Sequence, residues 1–289
     1  MSIKSIPVRK ITTEPKQQEV AGSPDFSIRD MGQLLNGRDL QQDLHRHDFF
    51  LIMALEKGNG SHDIDFNHHE LCDRCVFFMR PGQVHRLELH EGSSGFLMQF
   101  KSDFYPHDRL SGELLRSLSR QTLCQLEAEP FRRLMTTLKI VHQEYRERME
   151  RFTDVIRANL NIFFIELLRN KSRTDSDEGH SPYHMDRLEE FLALVESHLI
   201  NHKDVAFYAD QLHLSSFQLN AITKRLLDKT SSEIIDEHVI LEGKRYLLAT
   251  TDQVNQIAYK LGFEDPSYFI RFFKKHTGYS PEAFRRNFK

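Results

Sequence analysis

The last 82 residues of this chain carry an internal repeat, and it constrains the fold more than any other feature. Tyr208-Ala209-Asp210-Gln211-Leu212-His213-Leu214-Ser215-Ser216-Phe217-Gln218-Leu219, followed by Ile222 and Lys224, is echoed by a second copy. That copy is Ile257-Ala258-Tyr259-Lys260-Leu261-Gly262-Phe263-Glu264-Asp265-Pro266-Ser267-Tyr268-Phe269, followed by Phe272 and Lys274. Ala209 matches Ala258 and Leu212 matches Leu261 at a spacing of 49, while Leu219 matches Phe269 and Lys224 matches Lys274 at a spacing of 50. Each copy has the mechanics of a helix-turn-helix: a short helix ends in Leu, a turn follows, and a polar residue caps the next helix. The small Ala lets two helices cross closely, and the Leu or Phe after the turn fills the gap between them. In the second copy Gly262 suits a left-handed turn position, Asp265 is a good N-cap, and Pro266 fits the first helical position.

Charge supports this division. The chain is 289 residues with net charge −3, which alone argues against a nucleic-acid partner. Residues 1–202 hold 26 Lys+Arg against 31 Asp+Glu, whereas residues 203–289 hold 13 against 11. Between Arg271 and Lys289 there are six basic residues and one acid, Glu282. Local potential governs anion binding, so the total conceals a basic end on an acidic body. The length suits about two domains of roughly 150 residues.

The first of these reads mainly as strands from Phe26 to about Tyr105. His62–Phe66, Leu87–Leu89 and Phe96–Phe100 alternate, and Cys75–Met79 is a buried-type run. Turn chemistry separates them at Lys57–Gly60, Asp73-Arg74, Arg80–Gly82 and Glu91–Gly95, a pattern of small antiparallel sandwiches and barrels. Phe131, Leu134, Met135, Leu138 and Val141 then recur at helical spacing, and Val155–Leu168 carries more apolar surface than a one-sided helix requires. These helices either cap the barrel or also offer a dimer seam. Lys171–Tyr183 is polar, with Gly179 and Pro182, and reads as a linker. The expected organisation is a flexible segment over 1–25, a sensing and dimerisation domain over 26–170, a linker over 171–183 and a helical domain over 184–289.

The stretch from Ile257 to Arg285, including Gly278, Ser280 and Pro281, resembles the signature of the AraC/XylS family of transcription regulators. The resemblance is specific over Met185–Lys289 and looser before it. It implies an α+β multidomain protein: an N-terminal cupin-like β-barrel with following helices, then an all-α domain of seven helices with two helix-turn-helix units on a connector near Ser232–Thr250. Three departures weaken the match of the first unit: Asp228 where the family has Gly, Gly243 where it has Ala, and Thr223 where it has Phe.

The reading helices are expected at Ser216–Leu227 and Pro266–His276. With Leu219, Ile222 and Leu226 inward, Phe217, Gln218, Asn220, Ala221 and Lys224 face outward; with Phe269, Phe272 and Phe273 inward, Ser267, Tyr268, Ile270, Arg271, Lys274 and Lys275 do. Gln218 and Asn220 suit adenine edges and Arg271 suits guanine, with phosphate contact the alternative for each. Lys274, Lys275 and Arg285 are expected to clamp phosphates.

In the N-terminal half, His45-Arg46-His47 and Pro81-Gly82-Gln83-Val84-His85 resemble the two cupin motifs, but Leu51 and Ile52 stand where the motif's Glu belongs. His45, His47 and His85 are assigned to effector binding; core histidines or a residual metal site are the alternatives. The Phe residues at 49, 50, 66, 77, 78, 96 and 100 either line a pocket or fill the barrel. Cys72-Asp73-Arg74-Cys75 lacks a second pair, so it reads as two opposed strand residues joined by a hairpin turn, with zinc or redox chemistry the alternative. No nucleophile motif, phosphate-binding Gly-rich loop or H-E-x-x-H is present, so no catalytic residue and no cofactor is expected.

The resulting expectation is a cytoplasmic transcription activator, not an enzyme, with partners double-stranded DNA, a small-molecule effector and RNA polymerase. A homodimer would form through the helices around 131–145 and 154–169. The odd, low count of 3 Cys fits a reducing compartment, and neither a signal peptide nor a membrane span is legible. A metal-dependent cupin enzyme with an accessory helical domain, and an interaction protein that does not bind DNA, are the competing readings.

Overall fold

The computed structural model describes residues 8–9, 25–105, 114–115, 117–118, 122–174 and 182–288, with side chains described over 25–105, 114–115, 117–118, 122–170 and 183–288. The chain divides into two compact units, with the break between Ser176 and Asp177.

The N-terminal unit is built on two five-stranded sheets. One runs β1 (Val8–Arg9), β3 (Leu40–His47), β8 (Val84–Leu89), β5 (Gly60–Ile64), β6 (Asn67–Glu70). The other runs β10 (Leu123–Gln125), β7 (Cys75–Met79), β4 (Phe50–Lys57), β9 (Ser94–Phe100), β2 (Phe26–Asp30). Successive side chains point to opposite faces of a strand. Thus Leu51, Met53, Leu55, Phe77, Met79 and Leu97 of the second sheet meet Ile64, Leu87 and Leu89 of the first in one core. Ile52, Ala54, Val76, Phe78, Phe96, Met98 and Phe100 form the other face, covered by helices Ala128–Glu147 and Phe152–Thr174. A sheet buried on both faces explains why Leu51–Leu55 and Cys75–Met79 are unbroken apolar runs. The helices therefore cap the sheet through Leu134, Leu138, Val141, Ile156, Leu160, Phe163 and Phe164, leaving Ile140, Met149 and Ile162 exposed.

Several expectations change. Val8–Arg9, expected in a flexible segment, pairs in parallel with Arg46–His47; residues 1–7 and 10–24 lie outside the described residues. The alternation at 62–66 stops at Ile64, because Asp65 and Phe66 adopt φ of 46° and 72° in the two-residue turn joining β5 to β6. The Asp65 carboxylate fixes that turn by accepting from Gln83 Nε2 at 2.6 Å and from the Val84 amide at 3.2 Å. Phe66 therefore sits at the surface rather than in a pocket or core.

Cys72 and Cys75 are not opposed on a hairpin, since β6 and β7 belong to different sheets and the Asp73-Arg74 turn crosses between them. The buried Cys75 thiol donates to the Cys72 carbonyl at 2.8 Å, and burial, the largest cause, pushes it up to about 12, which makes it a poor nucleophile or metal ligand. The last helix of this unit continues to Thr174 and the next begins at Pro182, so both ends of the expected linker are helical. Lys171–Thr174 contains no helix breaker and Pro182 suits a first helical position; residues 175–181 lie outside the described residues.

The C-terminal unit has seven helices among the described residues: Pro182–His198, Val205–Gln211, Ser216–Leu227, Ser231–Ala249, Val254–Lys260, Pro266–Thr277 and Pro281–Phe288. No described helix is long and apolar enough to cross a membrane.

Candidate nucleic-acid interface and ligand pocket

The turn and terminal hydrogen bonds of the repeat recur in both copies. After the first short helix His213 turns left-handed at φ 55°, and the Leu214 amide donates to the Ala209 carbonyl at 2.9 Å. After its counterpart Gly262 does the same at φ 74°, and the Phe263 amide donates to the Ala258 carbonyl at 2.9 Å. Ser215 and Asp265 cap the two reading helices, accepting from the amides of Gln218 and Ser267. The reading helices end at Asp228 (φ 55°) and Gly278 (φ 78°), whose amides donate to Lys224 and Lys274. Asp228 thus takes the left-handed conformation expected of glycine, as Asp tolerates better than most residues.

The other departures also have structural reasons. A Cβ on Gly243 would lie 3.3 Å from the Phe273 ring and 3.5 Å from that of Phe269, so its absence lets the connector Ser231–Ala249 approach the second reading helix. Buried Thr223 donates to the Asn220 carbonyl and hydrogen-bonds Ser231 Oγ, both at 3.2 Å.

Leu219, Ile222, Phe269 and Phe273 are buried as expected, and Leu226 and Phe272 are half-buried. Phe217, Gln218, Ala221, Lys224, Ser267, Tyr268, Ile270, Arg271, Lys274 and Lys275 are exposed on the two helices. Three of the residues expected to contact DNA make hydrogen bonds within the unit. Asn220 is half-buried and its Oδ1 accepts from the Ser231 amide at 2.9 Å, so it holds the start of the connector. Gln218 Oε1 accepts from the Ser215 amide at 2.8 Å and hydroxyl at 3.0 Å, completing a capping box. Arg285 is 6% exposed; its Nε donates to the Leu247 carbonyl at 2.8 Å and an Nη to that of Asp252 at 2.7 Å. It ties the last helix to the end of the connector instead of clamping phosphate.

The second site is the inward face of the first sheet. Residues two apart share a face, so β3 presents His45 and His47, β8 presents His85 and β5 presents His62. All four are buried. His62 Nε2 lies 2.8 Å from His85 Nδ1, and His85 Nε2 lies 2.7 Å from His47 Nε2. Neutral imidazole has one donor and one acceptor nitrogen, so these rings form a consistent neutral chain. His45 Nδ1 donates to the Asp43 carbonyl at 2.6 Å, leaving Nε2 as the acceptor. Burial, then the neighbouring His69, His45 and His47, lower His62 to about 3.

A cavity of about 40 Å³ opens beside this chain. Its lining includes the polar residues Arg29, Gln42, Gln99, His47, His62 and His85 and the apolar residues Phe49, Leu51, Leu87 and Leu97. Of the expected effector histidines, His47 and His85 line it, whereas His45 is not in the lining and its ring lies tilted at 4.2 Å from that of His85. Among the expected Phe residues only Phe49 lines it; Phe50, Phe77, Phe78, Phe96 and Phe100 fill cores. Nitrogens of His45, His47 and His85 lie within 4.8 Å of one another, close enough to share one transition-metal ion. Leu51, where a carboxylate ligand would stand, is a buried wall residue. His62 is absent from the expected site residues; its shared parity with buried Ile64 is the sequence signal that places it inward.

A family model for a helix-turn-helix domain matches residues 208–287, and one for an AraC-like ligand binding domain matches residues 36–152. The transcriptional activator RhaR of Mannheimia succiniciproducens is 22% identical over 255 residues, covering 85% of this chain and 87% of the relative. RhaS of Escherichia fergusonii, also a transcriptional activator, is 24% identical over 265 residues, covering 84% and 87%. The structure of ToxT from Vibrio cholerae O395 aligns loosely, at 15% identity and TM-score 0.44, over 90% of this chain and 97% of its own.

Proposed function

The chain belongs to the AraC/XylS family of transcription regulators, and from that membership we propose that it is a cytoplasmic, effector-controlled activator rather than an enzyme. The observation that carries the DNA-reading part is the duplicated unit: two reading helices share the position of their caps, the turn conformations and the terminal hydrogen bonds, and both expose side chains. On a helical connector they suit successive major grooves about 34 Å apart on one face of a duplex. Exposed Lys224, Lys274 and Lys275 supply phosphate contacts, and Arg271 suits bidentate contact with guanine. That both relatives are named as activators supports activation, which implies contact with RNA polymerase.

The effector would enter the cavity beside His47, His62 and His85, where Arg29, Gln42 and Gln99 in the lining suit a ligand with hydrogen-bonding groups. Effector binding changes DNA occupancy only through different affinities for two states of the protein. Exposed Ile140 and Ile162 on the two covering helices support a homodimer seam there. Gel shift on a site selected from random duplexes tests the DNA-reading assignment: Arg271→Ala is expected to weaken binding and relax the preference at one guanine. Unchanged affinity and preference would sink it.

A further inference from the structure

The two reading helices present different chemistry at equivalent positions. At the spacing of 50 that relates them, Phe217, Ala221 and Lys224 correspond to Ser267, Arg271 and Lys274. Positions i, i+4 and i+7 lie along one helical face, and all six residues are exposed. Phe217 is 82% exposed, the highest value among the described large hydrophobics, and it stands in the first turn of its helix. Asn220 is engaged on the connector and Gln218 Oε1 in its cap. Beside the Gln218 amide nitrogen, the face of Phe217, Ala221 and Lys224 offers a groove an aromatic ring, a methyl group and a terminal cation.

In the major groove the thymine 5-methyl is the apolar feature of a base pair, and contact with Ala or Phe reads it. Arg at the matching position of the second helix reads guanine instead. We propose that the first helix recognises thymine through Phe217 and Ala221, so that the target is an asymmetric two-part site with a methyl-read thymine in one groove and an arginine-read guanine in the next. This rests on the assignment of the duplicated unit to DNA reading. Phe217 has almost no buried surface to lose in the free protein, and leaving an aromatic ring in water at the start of a reading helix is what a methyl contact would relieve.

The test replaces dT by dU, which removes only the methyl, at each thymine of a duplex selected from random sequence by the full-length protein. Burying one methyl group corresponds to about a fourfold change in affinity. The wild-type protein is expected to lose about fourfold at one or two thymines of the half-site not relaxed by Arg271→Ala, and nothing elsewhere. Phe217→Ala is expected to bind the dT duplex more weakly than wild type, to lose less than wild type on dU substitution, and to keep its unfolding midpoint. Equal binding of dT and dU by the wild type would overturn the proposal, as would Phe217→Ala that discriminates them as strongly as the wild type. Failure to select any sequence would overturn the DNA-reading assignment itself and this inference with it.

Discussion

Replacing Arg285 by Met separates a structural guanidinium from a phosphate clamp, because the two roles predict opposite signatures. The side chain is 6% exposed and donates at 2.8 and 2.7 Å to the carbonyls of Leu247 and Asp252. A hydrogen bond involving a charged group contributes about 1.5–3 kcal/mol, and removing the donor leaves its acceptor unsatisfied. Leu247 is buried, whereas Asp252 is half-buried and within reach of water. Met keeps the apolar stem, so the loss is set by the two bonds, about 3–6 kcal/mol in all. For a unit of this size that lowers the unfolding midpoint by more than about 10 °C. A phosphate contact would instead lower the slope of log K against log salt by about 0.9. The assay is thermal unfolding of the full chain, paired with DNA titrations across salt well below the midpoint. Arg285→Met should unfold early and keep the wild-type slope, while Lys274→Met should keep its midpoint and lose about 0.9 of slope. An unchanged midpoint with a reduced slope for Arg285→Met would refute the structural role.

Two further perturbations follow from the same geometry. Gly262 and Gly278 both have positive φ, but a Cβ on Gly262 would lie 1.8 Å from the Ile200 carbonyl oxygen whereas one on Gly278 meets nothing within 4 Å. Urea unfolding should therefore show Gly278→Ala costing about 1–2 kcal/mol, the left-handed penalty alone, and Gly262→Ala costing clearly more; equal costs would refute the contact. His62 is lowered from 6.5 to about 3, mainly by burial. Above pH 6.5 both states hold it neutral, but below that the unfolded chain takes a proton that the folded one refuses, so stability falls as pH drops toward 3. At pH 4.5 His62 should cost the N-terminal unit about 2–3 kcal/mol relative to pH 7. His62→Gln should flatten that difference, and an identical pH profile would refute it.

What was legible in the sequence is what local chemistry determines. Gly262, Asp265 and Pro266 each have one conformational preference that suits their position, and the periodicity of Phe269 and Phe273 placed them in the core. Sheet-like runs such as Cys75–Met79 were legible for the same reason. The features that escaped depend on partners distant in sequence. Arg285 reads as a surface cation in a basic terminus, and only the positions of the Leu247 and Asp252 carbonyls turn it inward. Asn220 looks like a base reader until the chain returns the Ser231 amide to it. The parity of His62 with Ile64 marks it as inward, but only the pairing of β5 with β8 brings it to the imidazole chain. The Cys72–Cys75 turn looks like a hairpin because strand order within sheets is a global property.

Phosphate-ethylation interference on a selected duplex follows both helices whichever bases they read. If the duplicated unit reads two adjacent major grooves, interfering phosphates fall in two clusters on one face, about 34 Å apart, and binding weakens steeply as salt rises. Interference confined to one groove, or equal binding to unrelated sequences, would show that it does not.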